Sequence, residues 1–400
     1  MRYEFCCPTL FGLEGIVGDE LRFGGKLEDV RVENGRVLFS GDERTLIWAN
    51  LWLRCAERVL IKVGEFPAKT FSELFDGVYE LPWHDFILKD GAFPVKGYSL
   101  DSALHSIPDC QSIVKKAVVK SLSESYGTEW FEESGARNQI QFAIKNDVAE
   151  IFLDTSGSGL HKRGYRANSN AAPLRETLAA AMVKLSRFKG RDEFLDPFCG
   201  SGTIPIEAAL IASNRAPGLN RSFDAEQWDW IAPELWTQAR EDAQAAIREG
   251  EFRIFGSDID PDCVGLSITN ARKAGVGDLV WFTKADACRL KLKEREGTLI
   301  CNPPYGERLM DQRSAQELMH RFGTVAGQSP MKQYIISSDG EFERFYGYKA
   351  DKKRKLYNGM IRCDLHIYYK NPTERVPFRA KPIPKKSFGN GRKNRSYRGK

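Results

Sequence analysis

Between residues 173 and 370 the chain repeats one pattern, short apolar runs separated by stretches with helical spacing. The runs fall at 194–198, 252–256, 279–282, 297–301, 332–337 and 361–369. A strong helix is expected just before them over 173–185, with Leu174, Leu178, Ala181, Met182 and Leu185 on one side. Brief apolar strands alternating with helices bury both of their faces most simply as a mostly parallel sheet covered by helices on each side. Asn358-Gly359 directly before the last run predicts that the sheet ends in an antiparallel hairpin. Open sheets of this kind bind ligands at the carboxyl ends of their strands. Here successive strand ends carry Asp196, Asp258, Asp286 and Asn302.

The first of these ends runs into Asp196-Pro197-Phe198-Cys199-Gly200-Ser201-Gly202-Thr203, followed by an apolar helix. Glycines at a strand-to-helix junction let the backbone turn and approach a ligand without a Cβ clash. A dinucleotide fingerprint needs GxGxxG and an acid about twenty residues later. Position 205 is proline and Asp258 lies 56 residues beyond Gly202, so a nicotinamide cofactor is disfavoured. No Gly-Lys-Ser/Thr follows, so the loop is not a nucleotide P-loop either. What remains is a loop for a ligand with a ribose and an amino-acid tail but no pyrophosphate. Asp258 is placed to accept from two ribose hydroxyls, and Asp286 from an adenine amino group.

The fourth strand ends in Asn302-Pro303-Pro304-Tyr305. An exocyclic amino nitrogen is a poor nucleophile because its lone pair is shared with the ring. The side-chain oxygen of Asn302 and the carbonyl of Pro303 can each accept one of its N–H groups. The two prolines keep those acceptors oriented, and Tyr305 offers a ring against which an unstacked base can lie. This chemistry suits methylation of a base amino group. Ring-carbon methylation would want a cysteine nucleophile, and Cys301 should point away from Asn302 along the strand; ribose O-methylation would want a base such as lysine.

The 400 residues exceed the usual size of one domain, so two or three units with separate cores are expected. Residues 1–64 form a small α/β unit, with extended pieces at 31–39 and 60–63, helical spacing over 45–57 and a turn at Asn34-Gly35. Residues 65–155 form a second one, with helices at 71–79 and 111–123 and strands at 93–100, 140–145 and 149–154. A basic stretch, Lys162-Arg163-Gly164-Tyr165-Arg166, lies in the linker 156–172; its Lys162, Arg163, Tyr165 and Arg166 are candidates for contact with a phosphate or base. Nine scattered cysteines without a CxxC, and only five histidines, argue for reduced packing cysteines and no metal. No apolar stretch approaches eighteen residues and the N-terminus lacks a signal peptide, so no membrane span and a cytoplasmic location are expected.

Residues 374–400 hold ten Lys/Arg against one acid, a local +9; subtracted from the chain's +5, this leaves −4 for residues 1–373. The stretch 371–400 reads as a basic, disordered tail, with Lys385, Lys386, Arg392 and Lys393 available to nucleic-acid phosphates and Phe378, Phe388 and Tyr397 as stacking groups.

The run 196–203, with Gly256-Ser257-Asp258-Ile259-Asp260, Asn302 through Arg308, Leu160 through Arg166 and Ala172 through Glu176, resembles the bacterial THUMP-containing class I RNA N2-guanine methyltransferases. The resemblance extends through Lys370 and excludes the tail. It implies a ferredoxin-like domain, then a THUMP RNA-binding domain, then a Rossmann-like methyltransferase domain with a seven-stranded sheet and one reversed strand. It further implies S-adenosylmethionine as cofactor, with Asp196, Gly200 and Gly202 around its methionine part, Asp258 at the ribose and Asp286 at the adenine, and Phe198, Thr203 and Asn302 also among the cofactor-binding residues. Asn302, Pro303 and Tyr305 would hold the target, and Arg308 would join the RNA contacts. The expected substrate is a guanosine of 23S ribosomal RNA, as RNA or in an assembly intermediate. Transfer RNA, adenine N6 and a non-catalytic assembly role are the alternatives.

Overall fold

The computed structural model describes residues 2–166, 174–304 and 311–378. Its strands form two seven-stranded sheets. The first contains β1 (Tyr3–Pro8), β2 (Val30–Glu33), β3 (Arg36–Gly41), β4 (Leu60–Pro67), β5 (Val95–Leu100), β6 (Gln139–Lys145) and β7 (Val148–Asp154). Their spatial order is β2-β3-β1-β4-β7-β6-β5. The ferredoxin-like and THUMP units therefore share one sheet. Strand β4 crosses the expected boundary at 64/65, pairing with β1 on one side and β7 on the other. Its register shifts between Lys62 and Gly64, and a Cβ at Gly64 would stand 2.4 Å from Leu81, so the strand bends where the second unit begins.

The THUMP helices are sealed by local chemistry. Thr70 and Glu73 form a capping box at the start of helix Phe71–Tyr79, and Gly127 closes helix Ile107–Tyr126 in the left-handed conformation. One apolar cluster runs from Phe5 and Val118 through Leu160 and Tyr165 to Leu178, Ile206 and Ile300, joining all three units, while a second, with Leu299, Phe322 and Ile335, lies within the catalytic domain alone.

The second sheet contains β8 (Phe194–Asp196), β9 (Ile254–Asp258), β10 (Val280–Lys284), β11 (Thr298–Cys301), β12 (Lys332–Ser337), β13 (Lys352–Asn358) and β14 (Ile361–Tyr368). Their order is β10-β9-β8-β11-β12-β14-β13. Strands β8 to β12 pair in parallel, whereas β14 is antiparallel to both β12 and β13. This is the Rossmann-like class I arrangement with one reversed strand, ending in the expected hairpin. The fold continues past residue 370: the buried Arg375 donates to the carbonyls of Ala326 (3.0 Å), Gly327 (2.9 Å), Ser329 (2.8 Å) and Met331 (3.2 Å). The part of the tail that begins there is thus ordered through Phe378.

Candidate active site

Strand β8 is wholly buried and delivers Asp196 to the edge of a cavity of about 370 Å³. Burial pushes the Asp196 carboxyl well above the usual carboxylate range; the charge of Asp258 adds to this, and the Phe198 N–H, donated at 3.0 Å, opposes it. The chain then turns through Gly200 (φ +52°) and Gly202 (φ +82°) into helix Thr203–Ala212. A Cβ on Gly202 would lie 2.8 Å from Ser267 Cβ, so this glycine allows close helix packing. A Cβ on Gly200 would meet nothing within 4 Å, and Gly200 lines the cavity. The Gly200 N–H donates to Asp258 Oδ2 at 2.9 Å while Asp258 Oδ1 accepts from the Asp260 N–H at 3.0 Å, tying the first two strand ends together.

Asp286 accepts from the Cys288 N–H at 2.9 Å and lies within 4 Å of Arg289 and Arg321. Phe198, edge-on to Phe322 with centroids 5.0 Å apart, adds an apolar wall. Thr203 is held by a hydrogen bond from Arg166 and by Ser201 at 3.3 Å. At the end of β11, Asn302 lines the cavity beside Pro304, with Pro303 buried between them. Asn302 Oδ1 is buried and has no hydrogen-bond partner among the described residues. The thiols of Cys199 and Cys301 are pushed far up by burial, which disfavours a thiolate nucleophile here.

The four strand ends thus converge on one cavity, as their positions in the sequence imply. Ile259 was not anticipated: it lines the cavity yet is 65% exposed, an apolar surface suited to a flat ring. An apolar residue between two strand-end aspartates was its only signal. The linker cations are corrected. Arg163 is 2% exposed and Tyr165 is 1% exposed, and both bind Glu207, so neither is available to RNA. Arg166 is half-buried against Leu174, Glu176 and Thr203; Lys162 alone of the four is exposed. Tyr305, Arg308, Lys385, Lys386, Arg392 and Lys393 lie outside the described residues.

Residues 163–367 match the UPF0020 family, described as RMKL-like, methyltransferase domain. Residues 4–60 match the RlmL ferredoxin-like domain and 68–154 the THUMP domain. The chain belongs to this family of THUMP-domain RNA methyltransferases. It is 43% identical over 372 residues to "Putative RNA methyltransferase YpsC" of Bacillus subtilis (strain 168), covering 92% of this chain and 96% of that one. It is 34% identical to the "Ribosomal RNA large subunit methyltransferase K/L" of Psychromonas ingrahamii over 96% of its own length, and spans 52% of that longer protein. Among solved structures, "SMU.472, a putative methyltransferase complexed with SAH" matches at 41% identity and a TM-score of 0.87, covering 92% of this chain and 98% of that one. A protein from Listeria monocytogenes described as a "predicted N6-adenine-specific DNA methylase" matches at 44% and 0.87, covering 92% and 96%. The family's cofactor, S-adenosylmethionine, suits this cavity: Gly200 leaves room, Asp258 and Asp286 provide carboxylates at successive strand ends, and Asn302 offers an acceptor that is unpaired among the described residues. THUMP-domain enzymes of this family act on RNA.

Proposed function

We propose that this enzyme methylates the exocyclic N2 amino group of a guanosine in RNA, most directly the 23S RNA of the large ribosomal subunit, in the cytoplasm. The observation that carries the reading is the Oδ1 of Asn302, buried at the cavity edge and without a hydrogen-bond partner among the described residues. A buried acceptor without a donor costs about 1–3 kcal/mol, and an incoming amino N–H relieves that cost. The donated hydrogen bond draws electron density onto the amino nitrogen, and Pro303, buried next in the chain, limits how far the acceptor can swing. S-adenosylmethionine, when bound, supplies an electrophilic methyl carbon. No charged general base is required, since the amino proton leaves after the nitrogen becomes cationic.

The choice of ribosomal RNA is supported by the THUMP domain and by the likeness to the large-subunit ribosomal RNA enzyme, and that of guanine by the motif resemblance to the N2-guanine methyltransferases. Nucleoside mass spectrometry of RNA from cells lacking the protein tests it. Loss of N2-methylguanosine from 23S RNA is expected; loss from transfer RNA, or loss of N6-methyladenosine instead, would overturn it. The catalytic role is tested separately. Asn302→Ala should lower kcat by about 100-fold or more while S-adenosylmethionine affinity stays within about threefold, and unimpaired turnover would remove Asn302 from the mechanism.

A further inference from the structure

The hairpin of β13 and β14 is strongly basic for its length. From 352 to 362 it carries Lys352, Lys353, Arg354, Lys355 and Arg362 with no acid, although residues 1–373 together have a negative balance. Register places its tip relative to the active site. Cys301 lies beside Ile335, and Ile335 opposite His366, so Asn302 is level with Leu365. Four more residues lead to Ile361, which closes the hairpin opposite Asn358. At the rise of a β-strand the tip therefore stands about 13 Å beyond Asn302, on the strand-end side where a target base must enter. Two strand spacings separate β11 from β14, so it is displaced sideways by about 10 Å.

The tip is apolar where it meets solvent: Met360 is 98% exposed and Ile361 is 38% exposed. The hairpin is also braced against the ferredoxin-like unit. Arg354 donates to the Gly12 carbonyl at 2.6 Å, and the Phe11 ring meets Tyr357 edge-on with centroids 6.0 Å apart. Gly12 has φ +90°, and a Cβ there would come within 2.8 Å of the Lys355 carbonyl, so only glycine permits the approach. Lys353 is held by Glu343 at 2.9 Å. The projection is thus tied down at its flank and bare at its end.

We infer that this hairpin is a rigid RNA-gripping prong: Lys355 and Arg362 pair with phosphates flanking the target nucleotide, and Met360 packs on a neighbouring unstacked base. An apolar wedge between cations fits a polyanion with separable bases, and a basic strand on the entry face of an RNA methyltransferase fits that substrate by charge.

The test uses the full chain with a fluorescein-labelled single-stranded RNA, measured from 50 to 400 mM KCl, together with methyl transfer to total RNA from cells lacking the protein. Each phosphate contact contributes about 0.7–0.9 to the slope of log affinity against log salt. Lys355→Gln with Arg362→Gln should therefore flatten the slope by about 1.5 and weaken binding about 30-fold at 0.1 M salt. Met360→Ser should weaken binding about fivefold or more with the slope unchanged, as expected for loss of a stacking contact. Both should raise KM for RNA and leave S-adenosylmethionine affinity intact. Unchanged RNA affinity and slope would overturn the inference, and so would a parallel loss of cofactor affinity, which would mean that the hairpin serves the fold. The binding measurement does not depend on which base is methylated, so it stands or falls apart from the guanine assignment.

Discussion

Replacing Arg163 by methionine separates a structural role from an RNA-binding one. The Arg163 guanidinium reaches both oxygens of Glu207 at 3.2 and 3.3 Å and donates to the carbonyls of Leu160 at 2.8 Å and Arg54 at 2.6 Å. Glu207 is completely buried, in the helix that begins at the cofactor loop. Methionine fills much of the same space but leaves Glu207 with the Tyr165 hydroxyl at 3.3 Å as its remaining named partner. Breaking a buried pair from one side costs about 3–5 kcal/mol. For a cooperative chain of this length, with an unfolding entropy of about 2 cal/mol/K per residue, that corresponds to a Tm lower by about 5 °C. Adding Glu207→Gln should recover a large part of the loss, because the uncompensated charge is then gone. Thermal and urea unfolding of the two variants measure this directly, and RNA binding across a salt series accompanies them. A Tm within 1 °C of the parent with a flatter salt slope would refute the buried-anchor argument and restore Arg163 to the RNA surface.

Two further outcomes are expected. Because burial raises the Asp196 pKa and S-adenosylmethionine carries sulfonium and ammonium charges, the cofactor favours the ionised carboxylate. Its affinity should therefore rise with pH from the ordinary carboxylate range upward until Asp196 ionises unaided, with protons released on binding; calorimetry in two buffers of different ionisation enthalpy would show it, and zero release between pH 5 and 8 would count against it. Truncation after Phe378 should leave Tm unchanged but reduce the salt dependence of RNA binding, whereas truncation after Lys370 should also cost several degrees by removing Arg375 from its four carbonyls; equal Tm values for the two truncations would exclude that role.

The cofactor side of the site was legible because its residues lie at strand ends, where local pattern and ligand geometry coincide. The linker was harder to read. Arg163 and Tyr165 look solvent-facing beside Lys162, and their partner Glu207 lies more than forty residues away. One clue was present: Glu207 is the only acid in Thr203–Ala212, an otherwise apolar helix, and a carboxylate in such a setting requires a cation. Strand β13 was legible only through the turn at Asn358-Gly359, since Lys352 to Lys355 lack the alternation of a half-buried strand and are tolerated because β13 is an edge. The union of the first two units was also invisible, because the partners of β4 come from remote parts of the chain.

That shared strand has a geometric consequence. With β4 hydrogen-bonded into both units, and the apolar cluster continuing into the catalytic domain, the THUMP domain has no hinge within the sheet on which to swing. An RNA held by the THUMP domain while its base reaches Asn302 must span a fixed separation. Selection of substrates by that distance, in addition to local sequence, would follow from such an arrangement.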